Sequence, residues 1–155
     1  LSKKLVLDIG CGTYCRGDVG VDIQFWYKNP CDHPEKFDGL LGSKNPNCMY
    51  VGADLNYPLP FRDEVFDVVV ARAVLEHLLR PYDCLLELRR VMKKGGRLLI
   101  IVPNARVSEA DWRDDTHYYS FTPPTARRLV SKVFKVKTLK LLFGGETIFV
   151  EAIKE

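Results

Sequence analysis

A chain of 155 residues, 46% hydrophobic and 28% charged, has the make-up of one soluble globular domain with a core of its own, expected to span residues 1–155. Its net charge of +3 is too small to imply a polyanionic partner by itself. No apolar run reaches the length of a membrane span and no signal peptide is visible, so a cytoplasmic protein without membrane contact is expected; it opens on Leu1 rather than Met, as a trimmed chain would.

The first strand is expected over residues 4–9. Leu5, Val6 and Leu7 are apolar, Asp8 follows, and Gly10 and Gly12 flank Cys11. Such glycines let the backbone turn sharply and let a ligand approach with no Cβ in the way. A dinucleotide site would continue with a third glycine and a helix whose N-terminus holds a pyrophosphate. Here Cys15 stands at the third glycine position, and Thr13 to Gly17 carries no helix pattern. Val19-Gly-Val-Asp22 is the next strand, so only residues 11–18 bridge two neighbouring parallel strands. Eight residues reach at most about 26 Å, which leaves no room for a crossover helix. The pocket therefore suits a ligand without a pyrophosphate, which disfavours a nicotinamide oxidoreductase.

Residues 24–48 are rich in turn signals: Asn29-Pro30, His33-Pro34, Gly39, Gly42 and Asn45-Pro46. Phe25, Trp26, Tyr27 and Phe37 sit among them, so the excursion either covers a ligand or is pinned to the surface by its aromatics. The third strand is expected over Cys48 to Asp54 and the fourth over Phe66 to Ala71, apolar after Asp67 as a strand covered on both faces should be. A short helix is expected over Val74 to Leu79. A longer one starts near Pro81 with the stripe Tyr82, Leu85, Leu88 and Met92, its end marked by Lys93, Lys94 and Gly95-Gly96. The fifth strand is Arg97 to Val102. Thr122 caps the last helix with Pro123 at its first position, and Leu129, Val130 and Val133 form its stripe. Val136 to Phe143 and Glu146 to Ile153, joined by Gly144-Gly145, read as a terminal hairpin.

The five cysteines (11, 15, 31, 48 and 84) are odd in number and match neither a disulfide framework nor a zinc-binding pair of C-x-x-C motifs, so free thiols and no metal are expected. His33 reads as a loop residue.

Leu-Asp-Ile-Gly-Cys-Gly (7–12) resembles the first motif of the class I S-adenosylmethionine-dependent methyltransferases. Further similarities follow in order: Gly20-Val-Asp22, Ala53-Asp54-Leu55, Leu59-Pro-Phe61 with Phe66 to Val70, Ala73-Val-Leu-Glu-His-Leu78, and Arg90 to Asn104. The chain is similar to a compact, methyltransferase type 11-like subgroup with a short link between strands one and two. The resemblance implies an α/β fold: a Rossmann-like, mostly parallel sheet with a C-terminal antiparallel hairpin. It implies S-adenosylmethionine as cofactor, with Asp22 on the ribose hydroxyls and Asp54 on the adenine amino group. Asp8 would face the methionine ammonium, directly or through water. Gly10, Cys11, Gly12, Ile23, Leu55, Arg72 and Ala73 complete the expected cofactor set.

Methyl transfer from a sulfonium needs no covalent nucleophile. It needs donor and acceptor held in line, water excluded and sometimes a proton removed. The segment 111–122 is dense in aromatic and ionisable residues and follows the fifth strand, where α/β enzymes place substrate loops. Its Asp114, His117, Phe121 and Thr122 resemble a family pattern. His117 is the candidate to orient the acceptor or take its proton, or else it pins the loop. Trp112, Tyr118 and Tyr119 are candidates to line the acceptor site, with His77 close by. The expected acceptor is a small molecule. The basic clusters Arg89 to Arg97 and Arg127 to Lys140 read as solvated faces rather than an RNA surface, although RNA or protein acceptors stay open. A methyltransferase-like partner protein without catalysis is the other open reading.

Overall fold

The computed structural model describes residues 2–24 and 33–155. Phe25, Trp26, Tyr27 and Cys31 lie outside the described residues. Seven strands form one sheet: β1 (Val6–Ile9), β2 (Val19–Asp22), β3 (Met49–Gly52), β4 (Phe66–Arg72), β5 (Met92–Pro103), β6 (Lys135–Leu142) and β7 (Thr147–Ile153). The helices are α1 (Asp38–Leu41), α2 (Pro81–Val91), α3 (Glu109–Arg113) and α4 (Pro123–Ser131). The strand order is β3-β2-β1-β4-β5-β7-β6, parallel from β3 through β5 and antiparallel in the β5-β7-β6 hairpin edge. The order reverses between β1 and β4, so a crevice opens beyond their carboxyl ends, the usual ligand site in such sheets.

Side-chain alternation on β4 and β5 builds two cores. Val69, Ala71, Leu98, Ile100 and Val102 face α2 and α4, while Val70, Leu99 and Ile101 face Phe37 and Leu41. Each such Leu, Ile or Val contributes about 1.5–3 kcal/mol relative to an exposed one. No helix occurs in residues 10–18; Leu7 pairs directly with Val19 in the parallel register. The capping box forms at α4: Thr125 N–H donates to Thr122 Oγ1 and Thr122 N–H to Thr125 Oγ1.

Three expectations are corrected. First, Gly95-Gly96 does not end α2. The helix stops at Val91 and the chain enters β5 at Met92, with Lys93 to Gly96 forming an irregularity between the pairings Phe66↔Met92 and Val68↔Arg97. Met92 is fully buried and Val65 N–H donates to Val91 O, so tertiary pairing ends the helix before its glycine signal. Tyr82, expected in the buried stripe, is exposed; Cys84 and Val91 take that face. Second, the helix expected over Val74 to Leu79 is a single 3-10 turn, Leu75–His77.

Third, the cysteines are not all free: Cys15 and Cys48 form a disulfide across 33 residues of sequence. Gly20 on β2 explains the encounter. A Cβ there would approach the Sγ atoms of Cys11, Cys15 and Cys48 at 2.8, 2.8 and 3.0 Å, so its missing side chain makes room for three sulfurs. Parallel pairing of β2 with both β1 and β3 carries them to one spot, which spacing along the chain does not reveal.

Candidate active site

The turn after β1 is built by two left-handed glycines, Gly10 (φ +61°) and Gly12 (φ +53°). Gly10 N–H donates to Val21 O at 2.7 Å, folding the turn over β2. A Cβ on Gly10 would collide with Val74 Cγ2, so backbone conformation and close approach both require glycine. Asp22, at the end of β2, braces the turn: Oδ2 accepts from Gly12 N–H at 2.8 Å and Oδ1 from Gln24 N–H at 3.0 Å.

A cleft with two adjoining lobes of about 640 and 480 Å³ lies over these strand ends. The larger lobe is lined by Asp22, Ile23, Asp54, Leu55 and Asn56, at the ends of β2 and β3. Asp54 Oδ1 accepts from Asn56 N–H and Nδ2, which fixes the carboxylate. The smaller lobe is lined by Cys11, Gly12, Tyr14, Arg72, Glu76, Pro103 and His117. Gly10, Asp22, Gln24, Ala73, His77 and Asp114 border both.

Nine of the ten expected cofactor residues therefore meet at the cleft. Asp8 does not line it; it is 2% exposed, beneath the turn, with Oδ2 accepting from Arg16 N–H at 2.7 Å. Burial pushes its carboxyl up to about 7, against the opposing pull of the Arg16 hydrogen bond and of the Arg16 and Arg72 charges. Arg16 itself holds the next segment, donating through Nε to Gly42 O and through Nη2 to Pro34 O.

The loop after β5 reaches the same cleft. Tyr118 and Tyr119 N–H both donate to Glu76 O, pinning the loop to the turn after β4. The His77 and His117 rings meet edge to face, 4.5 Å between centroids. His117 Nδ1 is 3.0 Å from Asp111 Oδ1, and its Nε2 is 3.3 Å from Asp114 Oδ2. Trp112, Tyr118 and Tyr119 line neither lobe. Trp112 Nε1 donates to Ala105 O and is 71% exposed, Tyr118 is exposed, and Tyr119 OH donates to Leu79 O on the outer side of the turn. Hydrogen bonds to backbone carbonyls hold Trp112 and Tyr119 outside the cleft, which composition alone could not tell.

Glu76 is the main residue sequence reading passed over. It is fully buried, neither carboxylate oxygen has a hydrogen-bond partner, and burial raises it to about 8. The available signal was an acid beside the apolar Leu75 in a turn directly after the buried central strand β4. His77 is lowered by burial and by His117.

The two basic clusters are matched by acids in part, mostly in the first. Arg90 pairs with Asp63 and Glu87, Lys93 with Asp67, Arg97 with Glu151 and Lys135 with Glu155.

Residues 7–100 match the methyltransferase domain family. A demethylmenaquinone methyltransferase of Streptomyces griseus is 30% identical over 130 residues, covering 81% of this chain and 54% of that protein. The human protein named "Probable tRNA methyltransferase 9B" is 33% identical over 102 residues, covering 64% and 21%. In structure, a SAM dependent methyltransferase from Aquifex aeolicus superposes with a TM-score of 0.66 at 18% identity, covering 98% of this chain and 82% of that one. The chain spans 60% or less of the length of the curated relatives it matches most strongly. The chain belongs to the methyltransferase domain family and has the fold of class I methyltransferases.

Proposed function

We propose that this domain transfers the methyl group of S-adenosylmethionine to a small-molecule acceptor held in the smaller lobe. The observation that carries the reading is the division of the cleft. Gly10, Asp22, Ile23, Asp54 and Leu55 frame the larger lobe at the ends of β1 to β3, and its two carboxylates are acceptors of the kind that ribose hydroxyls and an adenine amino group require. Gly12 and Arg72 then lead into the smaller lobe, where Glu76, His77, Asp114 and His117 converge. With adenosine in the first, the methyl group points to the second. His117 is the acceptor-facing residue, its ring oriented by Asp111.

The cofactor arm of the test is calorimetry with S-adenosylhomocysteine and NAD: binding of the first and not the second is expected, and the reverse overturns the reading. The acceptor arm is transfer of labelled methyl groups to small phenols, quinols and amines, with unmodified tRNA alongside. RNA is the second reading, supported by the relative named for tRNA. Label on tRNA and on none of the small molecules would replace the first reading with it. If His117 takes a proton, His117→Ala lowers turnover greatly with cofactor affinity nearly intact; if it only pins the loop, His117→Asn keeps much of the activity.

A further inference from the structure

We propose that Glu76, His77 and His117 form a binding site for one divalent transition-metal ion, facing the smaller lobe of the cleft. One ligand atom from each of the three lies within 4.8 Å of the others, the only such group among the described residues. Two imidazoles and one carboxylate are donors that suit zinc, manganese, iron or cobalt, whereas magnesium and calcium favour all-oxygen sites.

The hydrogen bonds around the cluster assign its free lone pairs. Thr116 Oγ1 donates to Asp114 Oδ1, so it accepts from His77 Nδ1–H at 2.9 Å. That places the His77 proton on Nδ1 and leaves Nε2 as a lone pair, 3.9 Å from Glu76 Oε1. His117 stands between two carboxylates, Nδ1 3.0 Å from Asp111 Oδ1 and Nε2 3.3 Å from Asp114 Oδ2; with Nδ1–H donated to Asp111, Nε2 is the nitrogen that would ligate. A carboxylate or hydroxyl behind each imidazole is the arrangement that orients metal-bound histidines.

Glu76 supplies the independent observation. Both its oxygens are buried and have no hydrogen-bond partner, and it lines the lobe into which both rings face. Leaving a buried polar group unsatisfied costs about 1–3 kcal/mol, more for a charged one. A cation held by Glu76 Oε, His77 Nε2 and His117 Nε2 would give the buried Glu76 carboxylate the partner it lacks within the protein. At the end of the cleft such an ion would act as a Lewis acid on an acceptor oxygen or nitrogen, and His117, with Nε2 on the metal, would orient the site rather than take the acceptor's proton.

The test is calorimetric titration of the tag-free, oxidised domain with Zn²⁺, and with Mg²⁺ in parallel, supported by Co²⁺ absorption as a report on coordination. One Zn²⁺ per chain is expected, with Mg²⁺ far weaker. Asp111→Asn should weaken Zn²⁺ by about 10–100-fold, as loss of an orienting partner does. Glu76→Gln, His77→Gln and His117→Gln should each weaken it more. His77 is half-buried, so His77→Gln should keep the fold, checked by circular dichroism. No Zn²⁺ binding at millimolar concentration overturns the proposal. So does affinity unchanged in His77→Gln, or binding that disappears in Cys11→Ser and Cys84→Ser instead. S-adenosylhomocysteine titrated into the metal-free domain separates the outcomes: its binding without any Zn²⁺ site removes the metal alone, and a Zn²⁺ site without its binding removes the methyltransferase reading alone.

Discussion

The Asp22 carboxylate accepts a hydrogen bond from Gly12 N–H at 2.8 Å, so the end of β2 holds the turn that follows β1. Asp22 thus lines both lobes of the cleft and braces the turn between them. Asp22→Ala should weaken S-adenosylhomocysteine binding by about 1.5–3 kcal/mol, roughly ten- to hundred-fold, the usual cost of a hydrogen bond to a charged group. Unfolding midpoints should fall as well, because Gly12 N–H and Gln24 N–H lose their acceptor. Calorimetry and thermal melts on the same samples check both.

Gly10→Ala separates strain from crowding. A left-handed residue with a Cβ costs about 1–2 kcal/mol, and here the new atom also meets Val74. The variant should be destabilised and bind cofactor poorly. Adding Val74→Ala should recover only the part due to crowding, and Gly10→Ala stability equal to the parent would contradict the turn described. Urea unfolding of Gly10→Ala, Val74→Ala and the double variant measures each share.

Reduction of Cys15–Cys48 should lower stability by about 3–5 kcal/mol, from the entropy regained by a loop spanning 33 residues of sequence. Urea unfolding with and without dithiothreitol reads it directly. The double variant Cys15→Ser, Cys48→Ser should behave like the reduced parent and ignore the reductant.

Asp8 should make stability depend on pH. Its folded pKa of about 7 lies above the ordinary 3.8, so the fold favours the protonated carboxyl. That contribution is complete below about pH 4 and is lost as pH rises through about 7, amounting to about 4 kcal/mol. The groups facing it are the Arg16 and Arg72 guanidiniums, Asp22 and the Cys11 thiol. Asp8→Asn should flatten the slope of unfolding free energy between pH 4 and 7, measured by denaturant titration across that range.

The sheet and the cofactor end of the site were legible in the chain because their signals are local. Alternating or continuous apolar runs mark buried strands, and Asp22 and Asp54 follow such runs directly. The two glycines announce a turn that no other residue tolerates. Their meeting at one cleft follows from parallel order alone. What tertiary structure decided lies between elements distant in sequence. Burial over the sheet, rather than Gly95-Gly96, ended α2. Three parallel strands brought Cys15 to Cys48. Trp112 and Tyr119 turned outward because backbone carbonyls at Ala105 and Leu79 took their polar ends. Glu76 became an unpartnered buried acid facing His77 and His117 only when the loop after β5 folded against the turn after β4. Hydrogen bonds and desolvation depend on which groups approach in space, and for these residues the approach is set by the packing of the whole sheet.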